Sequence, residues 1–78
     1  MGQKFTEYDV VEIVRLATDT RHFQGTEGVA RAPAVGDVAT IVMICEAENG
    51  QYLILEMVDD GGYTVWLADF SGDELRLV

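Results

Sequence analysis

Two turn signatures constrain this chain more than any other feature: Glu46-Ala47-Glu48-Asn49-Gly50 and Asp59-Asp60-Gly61-Gly62. Asn-Gly and Gly-Gly tolerate the positive φ that a tight hairpin needs. Between them runs Gln51–Val58, and outside them run Val38–Cys45 and Tyr63–Ala68, all predominantly apolar and rich in strand-forming residues. The chain therefore doubles back twice, and these segments read as three consecutive strands joined by hairpins.

Two further strands are expected. Tyr8–Arg15 is rich in β-branched residues, and Leu75-Arg76-Leu77-Val78 closes the chain. Before that last strand, Ser71 and Glu74 have the S-x-x-E spacing of a capping box, which predicts one short helical or 3₁₀ turn. The stretch from Leu16 to Val35 differs. It holds the only His and the only Pro, with Gly25 and Gly28, and keeps no clean period of 2 or 3.6. It reads as a long loop with room for one helical turn, closing at Pro33-Ala34-Val35-Gly36, with Gly25-Thr26-Glu27-Gly28 as its flexible part. The sum is an all-β chain: a small five-stranded SH3-like barrel, one domain over residues 1–78, with a long loop at 16–35 after strand one and a short helical turn before the last strand.

Composition then excludes whole classes of function. Among 78 residues, 5 are Lys or Arg and 14 are Asp or Glu, a net charge of −9. Non-specific nucleic-acid binding needs a basic footprint, and so does docking on an anionic membrane. Neither partner is expected. At 49% apolar residues the chain is too hydrophobic for acidic disorder. The single cysteine, Cys45, excludes an intrachain disulfide. Its place in Ile41-Val42-Met43-Ile44-Cys45 predicts a buried structural thiol, and the low cysteine use fits a cytoplasmic protein. No stretch resembles a secretory leader or a membrane span. Met1-Gly2-Gln3-Lys4-Phe5-Thr6 fits the permissive myristoylation pattern, which is read as chance.

The pieces Tyr8-Asp9-Val10-Val11, GDVATIV (Gly36–Val42), QYLILEMVDDGGYT (Gln51–Thr64) and DELRLV (Asp73–Val78) together resemble a small bacterial domain-of-unknown-function family. Its members carry a Tyr-Asp-Val-Val, Gly-x-x-Gly-Thr-Ile-Val, Tyr-x-Val-Glu-Phe, Asp-x-x-Gly-x-Thr pattern. This chain departs from it with Ala39 at the second glycine and with a longer Leu16–Val35 stretch. The resemblance implies an SH3-like barrel, similar in plan to the C-terminal barrel of nitrile hydratase beta subunits. It carries over no catalytic residue.

No constellation in the chain speaks for an enzyme, a metal or a cofactor. His22 stands alone, without ligand-spaced Cys or His partners, and reads as solvated. Asp59-Asp60-Gly61-Gly62 lacks the ladder of a calcium loop. Gly25-Thr26-Glu27-Gly28 lacks the setting of a phosphate loop, and Glu27 would repel the anion. The aromatics are too scattered for a polyproline groove.

The informative feature is strand alternation. Plain alternation puts Ala39, Ile41, Met43 and Cys45 on one face of the second strand, and Val38, Val42 and Ile44 on the other. It puts Leu53, Leu55 and Met57 opposite Tyr52, Ile54 and Val58 in the third. Both faces are apolar, so the second needs cover. Either the loop folds over it, with Phe23, Val29 and Ala30 as lids, or a second copy or another protein covers it instead. The expected reading is a non-enzymatic interaction module, forming a homo-oligomer or binding a protein partner, with Val42, Met43, Ile44, Ile54, Met57, Trp66 and Phe23 at the interface or pocket. The −9 charge points that partner toward a basic surface. The alternative is a small-molecule pocket between loop and sheet, lined by Met43, Met57 and Trp66.

Overall fold

A computed structural model of the chain describes residues 4–78. Met1 to Gln3, where the Met-Gly pattern begins, lie outside the described residues. Five strands form one antiparallel sheet: β1 (Val10–Ile13), β2 (Val38–Ala47), β3 (Gly50–Val58), β4 (Thr64–Ser71) and β5 (Leu75–Leu77). Their order is β4-β3-β2-β1-β5, and a 3₁₀ turn at Gly72–Glu74 precedes β5. This is the SH3-like layout expected, with the sheet open between β4 and β5 rather than closed as a barrel. Among the described residues no helix is long and apolar enough to cross a membrane.

The hairpins form where the turn chemistry put them. The β2–β3 connection is tight, with Ala47 opposite Gly50 and Gly50 at φ +122°. At the β3–β4 turn the Asp59 carboxylate accepts bonds from the N–H groups of Gly61 (2.9 Å) and Tyr63 (3.0 Å). That is an Asx-type turn, the work of a single aspartate and not of a cation loop. β1 is shorter than its β-branched run, because Tyr8 takes a positive φ (71°) and its N–H donates to the Ile41 carbonyl. That turn is what starts the strand at Val10.

One irregularity decides which side chains are inside. A bulge lies between Ile41 and Met43, so the register steps from Ile41↔Leu55 to Met43↔Ile54. An extra residue in one strand reverses its facing from there on. Ile44 thus turns inward, opposite Leu53, and packs against the core, whereas Met43 and Cys45 turn outward. Plain alternation had these three reversed. Cys45 is half-buried on the outer face, not a core thiol, and sits opposite Tyr52.

The core lies on the inner face of the curled sheet. Val11, Ile13, Ile41, Leu53, Leu55 and Trp66 are fully buried, with Phe70 and Leu75 nearly so. Trp66 and Phe70 pack tilted, centroids 5.5 Å apart, and Phe5 covers Gly72 at the open end. Burying a side chain of this size contributes about 1.5–3 kcal/mol. The inner face therefore carries the stability of the fold.

Candidate functional site

The long loop is the element that shapes the surface, and it is pinned rather than free. From β1 it runs to the 3₁₀ turn, then along the free edge of β4, then back to β2. Three anchors hold it.

The first anchor is Glu74, which is fully buried. One carboxylate oxygen accepts the N–H of Ala17 (2.7 Å) and the guanidinium of Arg21 (2.6 Å); the other accepts the N–H of Ser71 (2.9 Å). Burial alone would raise this carboxyl, but the bonds from Ala17, Arg21 and Ser71 outweigh it and hold the pKa below its ordinary value. The Arg21 guanidinium lies 3.9 Å above the Phe70 ring. The sequence put a capping box here; it did not show that the same glutamate also clamps the loop.

The second anchor is the β4 edge. Gln24 and Leu67 exchange both main-chain bonds (3.0 and 2.7 Å), Thr26 donates to Thr64, and Arg31 donates to Val65. Gly25 makes this approach feasible. A Cβ there would stand 2.7 Å from both the Val65 carbonyl oxygen and the Ala30 Cβ. Gly25 is thus a close-contact glycine, not the flexible loop residue that composition suggested.

The third anchor is Asp37. Arg31 pairs with it through two bonds of 2.9 Å, and the Ala34 N–H and the Trp66 indole N–H each donate to it at 2.9 Å. Burial pushes this carboxyl up, but Arg31, Trp66 and Ala34 together bring it below its ordinary value.

This path leaves the outer face of β2, β3 and β4 largely open. Met43 stands opposite Ile54, Cys45 opposite Tyr52, Ile54 opposite Asp69, and Glu56 opposite Leu67. Met43 is 49% exposed and Tyr52 39%. The loop crosses only the border of this face, where His22, Phe23 and Gln24 stand up beside Ile54, Leu67 and Asp69. The space between is a cleft of about 400 Å³ with an apolar floor.

The residues expected at an interface are therefore divided. Ile54 floors the cleft and Phe23 walls it, and Met43 lies on the same open face. Ile44 and Met57 pack against the core, and Val42 is half-buried at the bulge. Trp66 is fully buried and bonded to Asp37, which removes it from any surface or pocket. Val29 packs on the core. Leu67 and Asp69 were missed as site residues, because only the path of the loop along β4 turns them into a cleft.

His22 and Asp69 line the same cleft, but no ion pair joins them. Tyr52 has its hydroxyl pKa raised by a hydrogen bond and charge from Cys45 across the strands. No group of three or more His, Cys, Asp or Glu placed to hold a metal occurs among the described residues.

No family model, no curated protein and no solved structure matches this chain.

Proposed function

We propose that this protein is a non-enzymatic interaction module of the cytoplasm that binds protein through the outer face of β2–β4, in a second copy or in a different chain. One observation carries the proposal: the cleft of about 400 Å³ between Phe23 and Ile54 continues into the exposed surface of Met43 and Tyr52. Contiguous apolar surface of this kind on a small acidic domain marks a contact site.

Site-specific photo-crosslinking in the native host tests it. Benzophenone side chains at Phe23 and Met43 are expected to capture a defined protein adduct. The same probe at Val35 and Val78, exposed at 59% and 79%, should not. Equal capture from all four positions, or none, refutes the assignment.

The second reading is a small ligand in the same cleft, whose volume lies in the range of small-molecule sites, roughly 300–1,000 Å³. Native mass spectrometry of the purified protein separates the two: a bound small molecule displaced by Ile54→Trp supports the ligand.

A further inference from the structure

The charge on this chain is distributed in a way that selects the occupant of the cleft. All four arginines are spent internally: Arg15 on Asp73, Arg21 on Glu74, Arg31 on Asp37 and Arg76 on Glu12. Of the fourteen acids, that leaves ten, against Lys4 as the one remaining cation. The whole net charge of −9 therefore consists of uncompensated carboxylates. Two of them, Asp69 and Glu56, rise from the open face itself, on either side of the Ile54–Leu67 floor. Glu56 is held upright by the Thr64 hydroxyl at 2.6 Å.

A second copy of this chain is a poor match for that face. It would bring the same two carboxylates and no free arginine, and like charges brought together across a desolvated contact are unfavourable. A cationic partner meets the opposite situation, with its apolar side chains over Ile54 and Leu67 and its cations against Asp69 and Glu56.

The main chain points to the shape of that partner. Leu67 spends both of its outward main-chain groups on Gln24, and the Ser71 N–H donates to Glu74. Alternation along an antiparallel strand sends the N–H and C=O of Asp69 to this same edge, away from β3. No loop residue among the described residues bonds either group. The edge of β4 is thus covered on both sides of Asp69 and open at it, beside the cleft. An open donor–acceptor pair on a strand edge suits one residue pair of an added strand.

We infer that the cleft binds an extended segment of a different protein whose main chain pairs with Asp69 and whose cleft-facing side chains, at every second position, include both apolar residues and lysine or arginine. This rests on the interaction-module reading above and specifies its partner.

Short synthetic peptides serve as probes, with serine at every second position and, at the positions between, valine taken in turn with lysine, with serine or with glutamate. They are titrated into the ¹⁵N-labelled protein, with amide shifts as the readout. The valine–lysine peptide is expected to shift Phe23, Ile54, Leu67 and Asp69. Its affinity should fall at least severalfold between about 0.05 M and 0.5 M salt, as screening shortens. Asp69→Asn, at an exposed position, should weaken it about two- to fivefold while the same amides respond. Equal binding of the serine or glutamate peptide to these amides overturns the inference but leaves an interaction face. A low-salt dimer built through these residues replaces the partner with a second copy. No shift from any peptide overturns the inference, and the crosslinking positions then judge the broader reading on their own.

Discussion

Along β3, Leu53 and Leu55 point to one face of the sheet, and Tyr52 and Ile54 point to the other. The two sets are similar in size and apolarity. Leu53 and Leu55 are completely buried; Tyr52 is 39% exposed and Ile54 floors an open cleft. The difference lies in what each face meets. On the inner side, Val11 and Ile13 of β1, Ile41 of β2, Trp66 and Phe70 of β4 and Leu75 of β5 join Leu53 and Leu55 in one core cluster. The loop that would have to cover the outer ones is drawn to the β4 edge by Glu74, Gly25 and Asp37. Apolar surface is thus used for stability on one side and kept available on the other.

Substitutions on the two faces and at the loop anchors should affect the protein in graded ways. The largest effects belong to the inner face and the buried ion pair. Leu55→Ala should lose about 2–5 kcal/mol in urea unfolding. Glu74→Gln leaves the Arg21 guanidinium without its charge partner and should lose about 3–5 kcal/mol. A loss below about 1 kcal/mol for Glu74→Gln in the same measurement would mean that the loop is not held there.

Gly25→Ala comes next. The methyl group collides with the Val65 carbonyl and Ala30, so the loop must lift or β4 must shift, at about 1–3 kcal/mol. Amide hydrogen exchange at Leu67 and Thr26 reads this directly, because both lose protection if the loop leaves the edge.

Asp37→Asn isolates the charge of the third anchor through pH. The folded pKa of Asp37 is lowered, so its contribution is present above the unfolded value and is lost as pH falls through the folded one. The wild type should exceed the variant by about 1–3 kcal/mol at pH 7. That gap should close on acidification below the ordinary carboxylate range of about 4. A gap that stays constant with pH would show that the charge on Asp37 contributes nothing. The smallest effect is on the outer face: Met43→Ser should change stability by less than about 0.5 kcal/mol.

The strands and turns were legible in the sequence because their causes are local. The hairpin at Asn49-Gly50, the Asp59 turn and the Ser71–Glu74 box each act within a few residues. The phase of β2 was not legible. Nothing in Ile41-Val42-Met43 marks the bulge, yet it sends Ile44 inward and Cys45 outward. The site was legible only in part. Phe23, Met43 and Ile54 stood out as apolar residues in need of cover, but Trp66 stood out for the same reason and belongs to the core. The path of the loop depends on pairings such as Arg21 with Glu74 and Gln24 with Leu67, which join distant parts of the chain and leave no local pattern. Without that path, Asp69 reads as one more acid at a strand end.

The adjacent pair Ile54 and Leu55 tests the division between the faces most directly. Ile54→Ser and Leu55→Ser are each measured for urea stability and for binding of the valine–lysine peptide. The predicted result is that Leu55→Ser loses at least about 3 kcal/mol. Ile54→Ser should lose only about 1 kcal/mol and yet abolish the peptide-induced shifts at Leu67 and Asp69. An Ile54→Ser protein as unstable as Leu55→Ser, or one that binds the peptide unchanged, would contradict the account.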